Sequence, residues 1–163
     1  MDAELIALSA ATGAACRQRR LLLATAESCT GGWVSQVITH TEGSSGWFER
    51  GFVTYSNEAK VQMLGVRTET LHRFGAVSPE TAAEMAAGAL ENSNAMISLS
   101  ITGIAGPTGG SPGKPVGTVC FAWCRTGESP KTETVVFAGD RETVRRQAVI
   151  HALHGLLPHL DTV

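Results

Sequence analysis

Four consecutive residues carry side chains suited to the chemistry of amides and esters. Glu27, Ser28, Cys29 and Thr30 supply a carboxylate, two hydroxyls and a thiol. A hydroxyl becomes a nucleophile once a base takes its proton, and a thiol does so once its pKa falls. No histidine lies close to Cys29 in the sequence, so a thiol mechanism is the minor alternative. Ser28 is therefore a candidate nucleophile.

The same stretch is predicted to join a strand to a helix. An apolar run predicts a strand over residues 21–26, and apolar residues at helical spacing predict a helix over residues 31–40. Backbone N–H groups at the start of a helix can hold an anion, and Gly31 and Gly32 would let a ligand approach them closely. The alternative is an ordinary helix start, capped by a hydroxyl of this stretch.

A second serine and a lysine extend the candidate set. Ser45 lies in a turn that is predicted to open a short helix around residues 47–50, where a helix cap is the simpler role. A β-rich run predicts a strand over residues 51–55, and a helix starts directly after it. Lys60 then lies one turn inside this helix. Such a lysine commonly faces water, and it becomes a base only where burial or a nearby cation lowers its pKa from ~10.4.

The second half of the chain contributes a long Gly/Pro-rich loop at residues 103–115. Its flanks are both strand-like, so we expect it to border a site rather than to separate domains. Arg141 and Arg145 share one face of the last helix, which either faces solvent or binds a phosphate. The remaining predicted elements are helices over 4–19, 67–74, 78–92 and 141–157, and strands over 97–102, 116–124 and 132–138.

This order of elements predicts an α/β fold. We expect a three-layer α/β/α sandwich around a mixed, mostly parallel five-stranded sheet. In such sheets ligands bind outside the carboxyl ends of the strands. The turn at Ser28, the segment from Tyr55 to Lys60 and the loop after Thr102 all follow strands, so they are predicted to meet at this edge.

Composition narrows the possible partners. The 163 residues fit one domain, and a net charge of −2 without a basic run argues against a nucleic-acid partner. No segment has the ~18–20 apolar residues of a membrane span, and the N-terminus lacks the basic region of a signal peptide. The four cysteines form no C-x-x-C pair, and His151 with His154 makes a poor metal site. We therefore expect a cytoplasmic protein without a bound metal.

Five motifs in order carry a resemblance to a known family. The chain resembles the CinA C-terminal domain family over nearly its whole length, so a single domain over residues 1–163 is expected. The motifs that carry the resemblance are AESCTGG at 26–32, GSS at 43–45, VTYSNEAK at 53–60, GAVS at 75–78 and GIAGP at 103–107.

The resemblance implies an amidohydrolase that acts on a linear carboxamide. Its substrate would be nicotinamide mononucleotide, and its products nicotinate mononucleotide and ammonia, with no metal or cofactor. The family is thought to use a serine–lysine pair, in which Lys60 matches the lysine and Ser28 and Ser45 match the hydroxyl candidates. We favour Ser45 because it lies close in sequence to the Lys60 segment, and Tyr55 joins the catalytic candidates. The candidate substrate-binding residues are Glu27, Thr30, Gly31, Gly32, Thr102, Gly103, Ala105, Gly106, Arg141 and Arg145.

Two other functions stay open at this point. The chain could be a non-catalytic nucleotide-binding regulatory module, which would bind its ligand and release no ammonia. A general amidase of small amides would instead act without the nucleotide phosphate. Small residues along the predicted helices suit a homo-oligomer, and we favour a dimer. One of the two arginines, Arg141 or Arg145, could then come from a neighbouring subunit.

Overall fold

The computed structural model describes residues 1–161, which form six helices, five strands and one 3₁₀ turn. The helices are α1 (Ala3–Arg19), α2 (Trp33–Thr39), α3 (Asn57–Leu64), α4 (Thr68–Phe74), α5 (Pro79–Glu91) and α6 (Arg141–Asp161). The strands are β1 (Leu23–Glu27), β2 (Phe48–Val53), β3 (Ile97–Gly103), β4 (Thr118–Arg125) and β5 (Lys131–Val136), and the 3₁₀ turn is Ser44–Gly46.

The strands form one mixed sheet in the order β2-β1-β3-β4-β5. β1 pairs in parallel with both β2 and β3, whereas β4 is antiparallel to β3 and to β5. The mixed five-stranded sheet is confirmed, although its pairs divide evenly between parallel and antiparallel instead of being mostly parallel. Since β1 to β3 run in one direction, the segments that follow them leave the sheet at the same edge.

Helices cover both faces of the sheet, so the three-layer architecture is confirmed. One face packs against α1, α2 and α6 through a large apolar core that includes Leu23, Leu99 and Phe121. The other face carries α3, α4 and α5. Side chains alternate between the two faces along each strand, and Ala24 and Ala26 therefore pack beneath the helices opposite Leu23.

The polar side of β3 is buried against α5. Ser98 and Ser100 donate hydrogen bonds to the carbonyl oxygens of Ala86 and Ala82, at 2.7 and 2.6 Å. The strand alternates in sequence as predicted, but both of its faces are inside the protein. The small residues of α5 let the helix approach closely enough for these bonds, and a Cβ added at Gly88 would overlap the backbone of Leu64.

The stretch before β2 differs from the prediction. Residues 47–50 do not form a helix, because β2 already begins at Phe48 and the Ser44–Gly46 turn is a single 3₁₀ turn. Ser78 and Asp140 cap α5 and α6, since their side-chain oxygens accept hydrogen bonds from the N–H groups of Thr81 and Thr143. Within residues 1–161, none of the helices has the length and apolar character needed to cross a bilayer.

Candidate active site

Ser28 and Lys60 form a buried pair at the carboxyl edge of the sheet. Ser28 follows β1, and Lys60 lies on the first turn of α3, which follows β2. The Nζ atom of Lys60 is 3.0 Å from the Oγ atom of Ser28 and 2.8 Å from the carbonyl oxygen of Thr54. Lys60 is only 1% exposed and Ser28 is 7% exposed. The lysine is therefore not the solvated surface residue that its place on a helix suggests.

The local sequence explains why this lysine is buried. Ser56 caps α3 by accepting the N–H of Ala59 at 3.0 Å, and this start turns Lys60 toward the sheet. Burial lowers the pKa of Lys60 below its usual value, while interaction with the nearby Cys29 opposes the change. Both of these hydrogen-bond partners of Lys60, the Ser28 hydroxyl and the Thr54 carbonyl group, are uncharged groups rather than carboxylates. These surroundings favour the neutral amine, which is the form that can accept a proton.

A cavity of about 280 Å³ opens beside this pair. Tyr55 and Arg141 lie at the cavity together, where an Nη atom of Arg141 is 3.1 Å from the Tyr55 hydroxyl. Arg141 also donates to the carbonyl oxygen of Gly106 at 2.7 Å. The cavity is lined by Ser28, Cys29, Tyr55, Asn57, Lys60, Ala76, Val77, Thr102, Gly103, Ile104, Ala105, Gly106, Thr108, Gly109 and Arg141.

The Gly103–Gly106 segment forms one wall of the cavity, as the Gly/Pro-rich loop predicts. Gly106 has a positive φ of 86°, so a residue without a side chain suits this position. Thr102 is buried, and its hydroxyl donates to the carbonyl oxygen of Ala76 at 2.7 Å. This bond joins the end of β3 to the segment before α5, so Thr102 holds two walls of the cavity together.

The N–H groups at the start of α2 are bound by a carboxylate of the chain itself. Glu27 is fully buried, and its carboxylate accepts the N–H groups of Val34 and Ser35 at the start of α2, both at 2.9 Å. Thr30 also donates its hydroxyl to Glu27, at 2.7 Å. The chain's own carboxylate thus fills the position predicted for a ligand. Of the predicted substrate-binding residues, Glu27, Thr30, Gly31 and Gly32 lie away from the cavity lining.

Arg145 holds the outside of the same turn. Its guanidinium donates to the carbonyl oxygens of Cys29 and Thr30, at 3.0 and 3.3 Å, and lies over the ring of Trp33. The two arginines that were predicted to share one face of α6 therefore have different contacts. Arg141 lines the cavity, whereas Arg145 fastens the Ser28 turn to α6.

Ser45 lies at the opposite end of β2 from Lys60. It belongs to the exposed turn before the strand begins, and Lys60 follows the strand's end. Six residues of strand span about 20 Å, so the Ser45 hydroxyl is out of reach of the amine. The preferred pairing of Ser45 with Lys60 is corrected accordingly, and Ser28 makes the hydrogen bond instead.

Cys29 faces the cavity, but its surroundings do not favour a thiolate. Burial raises the pKa of the Cys29 thiol to about 12, and Glu27 adds to this effect while Arg145 and Lys60 oppose it. A thiol with this pKa stays protonated at neutral pH and is a poor nucleophile. The arrangement therefore favours the hydroxyl of Ser28 over the thiol beside it.

Several residues of the site were missed from the sequence. Asn57, Ala76 and Val77 line the cavity, and the carbonyl group of Thr54 accepts a hydrogen bond from Lys60. Ala76 and Val77 follow no strand, so the rule about strand ends gives no signal for them. The signal that could have located all three was the family resemblance, because Asn57 lies in the motif at 53–60 and Ala76 and Val77 lie in the motif at 75–78.

This arrangement defines a class of site. A buried serine hydroxyl, a buried amine of lowered pKa beside it and an adjoining cavity that also presents a guanidinium are suited to acyl transfer from an anionic amide or ester. The chain belongs to the CinA C-terminal domain family, whose model matches residues 6–160.

The chain is similar to proteins of about its own length and to part of longer proteins. The chain is 57% identical over 155 residues to the nicotinamide-nucleotide amidohydrolase PncC of Escherichia coli strain K12, covering 95% of this chain and 94% of that protein. It is 49% identical over 140 residues to a CinA-like protein of Akkermansia muciniphila, covering 86% of this chain and 34% of that longer protein. The crystal structure of the competence/damage inducible protein CihA from Agrobacterium tumefaciens matches with a TM-score of 0.95 at 41% identity, covering 99% of this chain and 98% of that one.

Proposed function

We propose that this chain is a nicotinamide-nucleotide amidohydrolase, which converts nicotinamide mononucleotide and water to nicotinate mononucleotide and ammonia. The observation that carries the proposal is the 3.0 Å contact between the Lys60 amine and the Ser28 hydroxyl at the edge of a cavity. The 57% identity to a protein named for this activity supports the choice of substrate. The reaction would return the pyridine ring to the synthesis of NAD.

The first step of the reaction uses Ser28 as the nucleophile and Lys60 as the base. A neutral amine has two N–H groups and one lone pair, and the carbonyl oxygen of Thr54 can only accept. One N–H of Lys60 therefore points to Thr54, at 2.8 Å, and leaves the lone pair free for the Ser28 proton. As this proton moves to Lys60, the Ser28 oxygen bonds to the carboxamide carbon and the carbonyl electrons move to its oxygen.

The second half of the reaction returns the proton and adds water. The lysine ammonium gives its proton to the carboxamide nitrogen, the C–N bond breaks, and ammonia leaves an ester on Ser28. Neutral Lys60 then takes a proton from water, which attacks the ester carbon. Collapse of this intermediate, with return of the proton to the Ser28 oxygen, releases nicotinate mononucleotide. One amine therefore carries every proton that moves in the reaction.

Measurement of ammonia release by the purified chain tests this function. Nicotinamide mononucleotide should release stoichiometric ammonia, and free nicotinamide should be a much poorer substrate because it lacks the phosphate. Equal rates with both compounds would instead indicate a general amidase. Binding of the nucleotide with no ammonia released would indicate a regulatory module, and would contradict the proposed hydrolysis.

Arg141 is proposed to bind the substrate phosphate. It presents the guanidinium that faces the cavity, and a planar guanidinium matches phosphate oxygens in pairs. Arg141→Ala is expected to raise KM for nicotinamide mononucleotide about 10- to 100-fold, because a hydrogen bond to a charged group contributes ~1.5–3 kcal/mol. Steady-state kinetics check this result. Arg146→Ala is the matched control, since Arg146 lies on the same helix and pairs with Asp2 and Glu4.

Three further parts of the proposal concern the whole chain. We place residues 1–163 in one amidohydrolase domain, because one sheet and its helices account for the described residues. A homodimer is supported by the exposed apolar side chains of Val53, Tyr55 and Met63, and light scattering of the purified chain tests it. The net charge of −2 without a basic run argues against a nucleic-acid partner, and we propose no membrane partner. A cytoplasmic location is supported by four free cysteines, all of them buried.

A further inference from the structure

We propose that Glu27 is a positioning residue, whose buried carboxylate fixes Ser28 and Lys60 relative to each other. The proposal rests on the proposed function, because it concerns the geometry of the serine–lysine pair. It replaces the expectation that Glu27 binds substrate. Glu27 is fully buried, with no exposed surface through which a nucleotide could reach its carboxylate.

The carboxylate of Glu27 accepts four hydrogen bonds. One oxygen accepts the Thr30 hydroxyl and the Val34 N–H, at 2.7 and 2.9 Å. The other accepts both the N–H and the hydroxyl of Ser35, at 2.9 and 2.7 Å. These bonds draw the residues that follow Ser28 back toward the end of β1. The turn that presents the Ser28 hydroxyl is therefore built around one carboxylate.

The backbone of Glu27 also reaches the lysine. The carbonyl oxygen of Glu27 accepts the N–H of Thr54 at 2.8 Å, and the carbonyl oxygen of Thr54 accepts the Lys60 amine at 2.8 Å. Ser28 is the next residue in the chain, and its own N–H is bound to the carbonyl oxygen of Ile101 at 2.9 Å. Glu27 is thus bonded covalently to Ser28 and is connected to Lys60 through the backbone of a single residue, Thr54.

The alternation of side chains along β1 explains how Glu27 can fix both Ser28 and Lys60 while its own side chain stays outside the cavity. Neighbouring side chains point to opposite faces of a strand. Glu27 points to the face that packs α2, and Ser28 points toward the face that carries α3 and Lys60. The Glu27 carboxylate can therefore hold the turn in place from one face of the sheet, while the Ser28 hydroxyl contacts the Lys60 amine on the other face.

Glutamine cannot replace this carboxylate. Each oxygen of Glu27 accepts a backbone N–H, from Val34 or from Ser35, and a backbone N–H cannot turn away. Either orientation of a glutamine amide would place its NH₂ group against one of these donors. Glu27→Gln is therefore expected to shift the turn, and a shift of about 1 Å at a reacting group costs about 100-fold in rate.

Kinetics of Glu27→Gln and Thr30→Val test the proposal. We expect kcat to fall about 10- to 100-fold in Glu27→Gln and by less in Thr30→Val, with KM nearly unchanged in both. The pH midpoint of kcat should move to higher pH in Glu27→Gln, because a loosened pair admits water to Lys60. Glu84→Gln is the matched control. Glu84 accepts hydrogen bonds from the N–H of Arg67, at 2.8 Å, and from the Thr70 hydroxyl, so this variant loses comparable hydrogen bonds at a place outside the site.

The outcomes separate positioning from other roles. Thermal melting should show a loss of stability in both glutamine variants, whereas only Glu27→Gln should lose kcat. An unchanged kcat in Glu27→Gln and Thr30→Val would overturn the proposal, as would a rise in KM alone, which would indicate substrate binding. Should Glu27→Gln fail to fold, Thr30→Val decides the matter. Should the wild-type chain release no ammonia, the proposed function fails, and the NMR-measured pKa of Lys60 in Glu27→Gln still tests positioning.

Discussion

Replacing Ser28 with alanine is expected to lower kcat for nicotinamide mononucleotide by at least ~10³-fold. Without the hydroxyl, the Lys60 amine still contacts the carbonyl oxygen of Thr54, but a backbone carbonyl oxygen is not a nucleophile that could attack the carboxamide carbon. Loss of a nucleophile in hydrolases of this kind commonly costs 10³-fold or more, and the residual rate comes from binding alone. Ammonia release under saturating substrate measures the effect. The KM should change little, because alanine leaves the shape of the cavity almost intact.

Ser45→Ala provides the matched control for this experiment. It makes the same chemical change at an exposed turn at the far end of β2, so its kcat should equal that of the wild type. The reverse result, an inactive Ser45→Ala beside an active Ser28→Ala, would contradict the assignment of the nucleophile. It would also require a structure in which the two ends of β2 approach each other.

Replacing Lys60 with methionine is expected to lower kcat about 10²- to 10⁴-fold, which is the usual contribution of a general base. Methionine fills the space of the lysine chain but has no lone pair of comparable basicity. The fold should be retained, because the loss of the hydrogen bonds to Ser28 and Thr54 is offset by the removal of a buried amine that must be desolvated. Lys131→Met, on the exposed strand β5, is the control. A Lys60→Met variant with wild-type kcat would exclude the lysine as the base.

The pH dependence of the wild type follows from the same group. Burial lowers the pKa of Lys60, and the base must be neutral, so kcat should rise with pH and level off below ~10.4. The lowered pKa also affects stability. Between the folded pKa and ~10.4 the unfolded chain binds a proton that the folded chain does not, so the free energy of unfolding rises with pH across this window. Both trends should be absent from Lys60→Met.

The approach of the three segments at one edge of the sheet was predictable from the sequence. Ser28, Lys60 and Gly103 each follow an apolar or β-rich run, and parallel strands bring their carboxyl ends together. Helix-start signals at Ser56 and Ser78 located α3 and α5 correctly. These inferences depend on local chemistry, which short stretches of sequence contain.

The choice between the serines was not predictable in the same way. It depends on which end of β2 each residue occupies, and the sequence placed a helix at residues 47–50 where β2 had already begun. Ser45 was therefore taken to lie near Lys60, although a whole strand separates them. Closeness along the chain does not report closeness in space when a strand intervenes.

The position of the Glu27 side chain was also not predictable from the sequence alone. A carboxylate beside a serine and two glycines suggests ligand binding, but the strand's alternation turns it to the opposite face from Ser28. The sequence pattern at the start of α2 predicted a binding site for an anion. It did not reveal that the chain itself supplies the anion.

The state of the Lys60 amine tests the account most directly. The sequence holds three lysines, Lys60, Lys114 and Lys131, so ¹³C labelling of their ε-carbons gives a spectrum that Lys60→Met assigns at once. Titration by NMR should show Lys60 losing its proton clearly below ~10.4, the usual value for lysine. A Lys60 signal that titrates at or above ~10.4 would mean that the amine is charged at the pH of catalysis, and would contradict the proposed role of the pair.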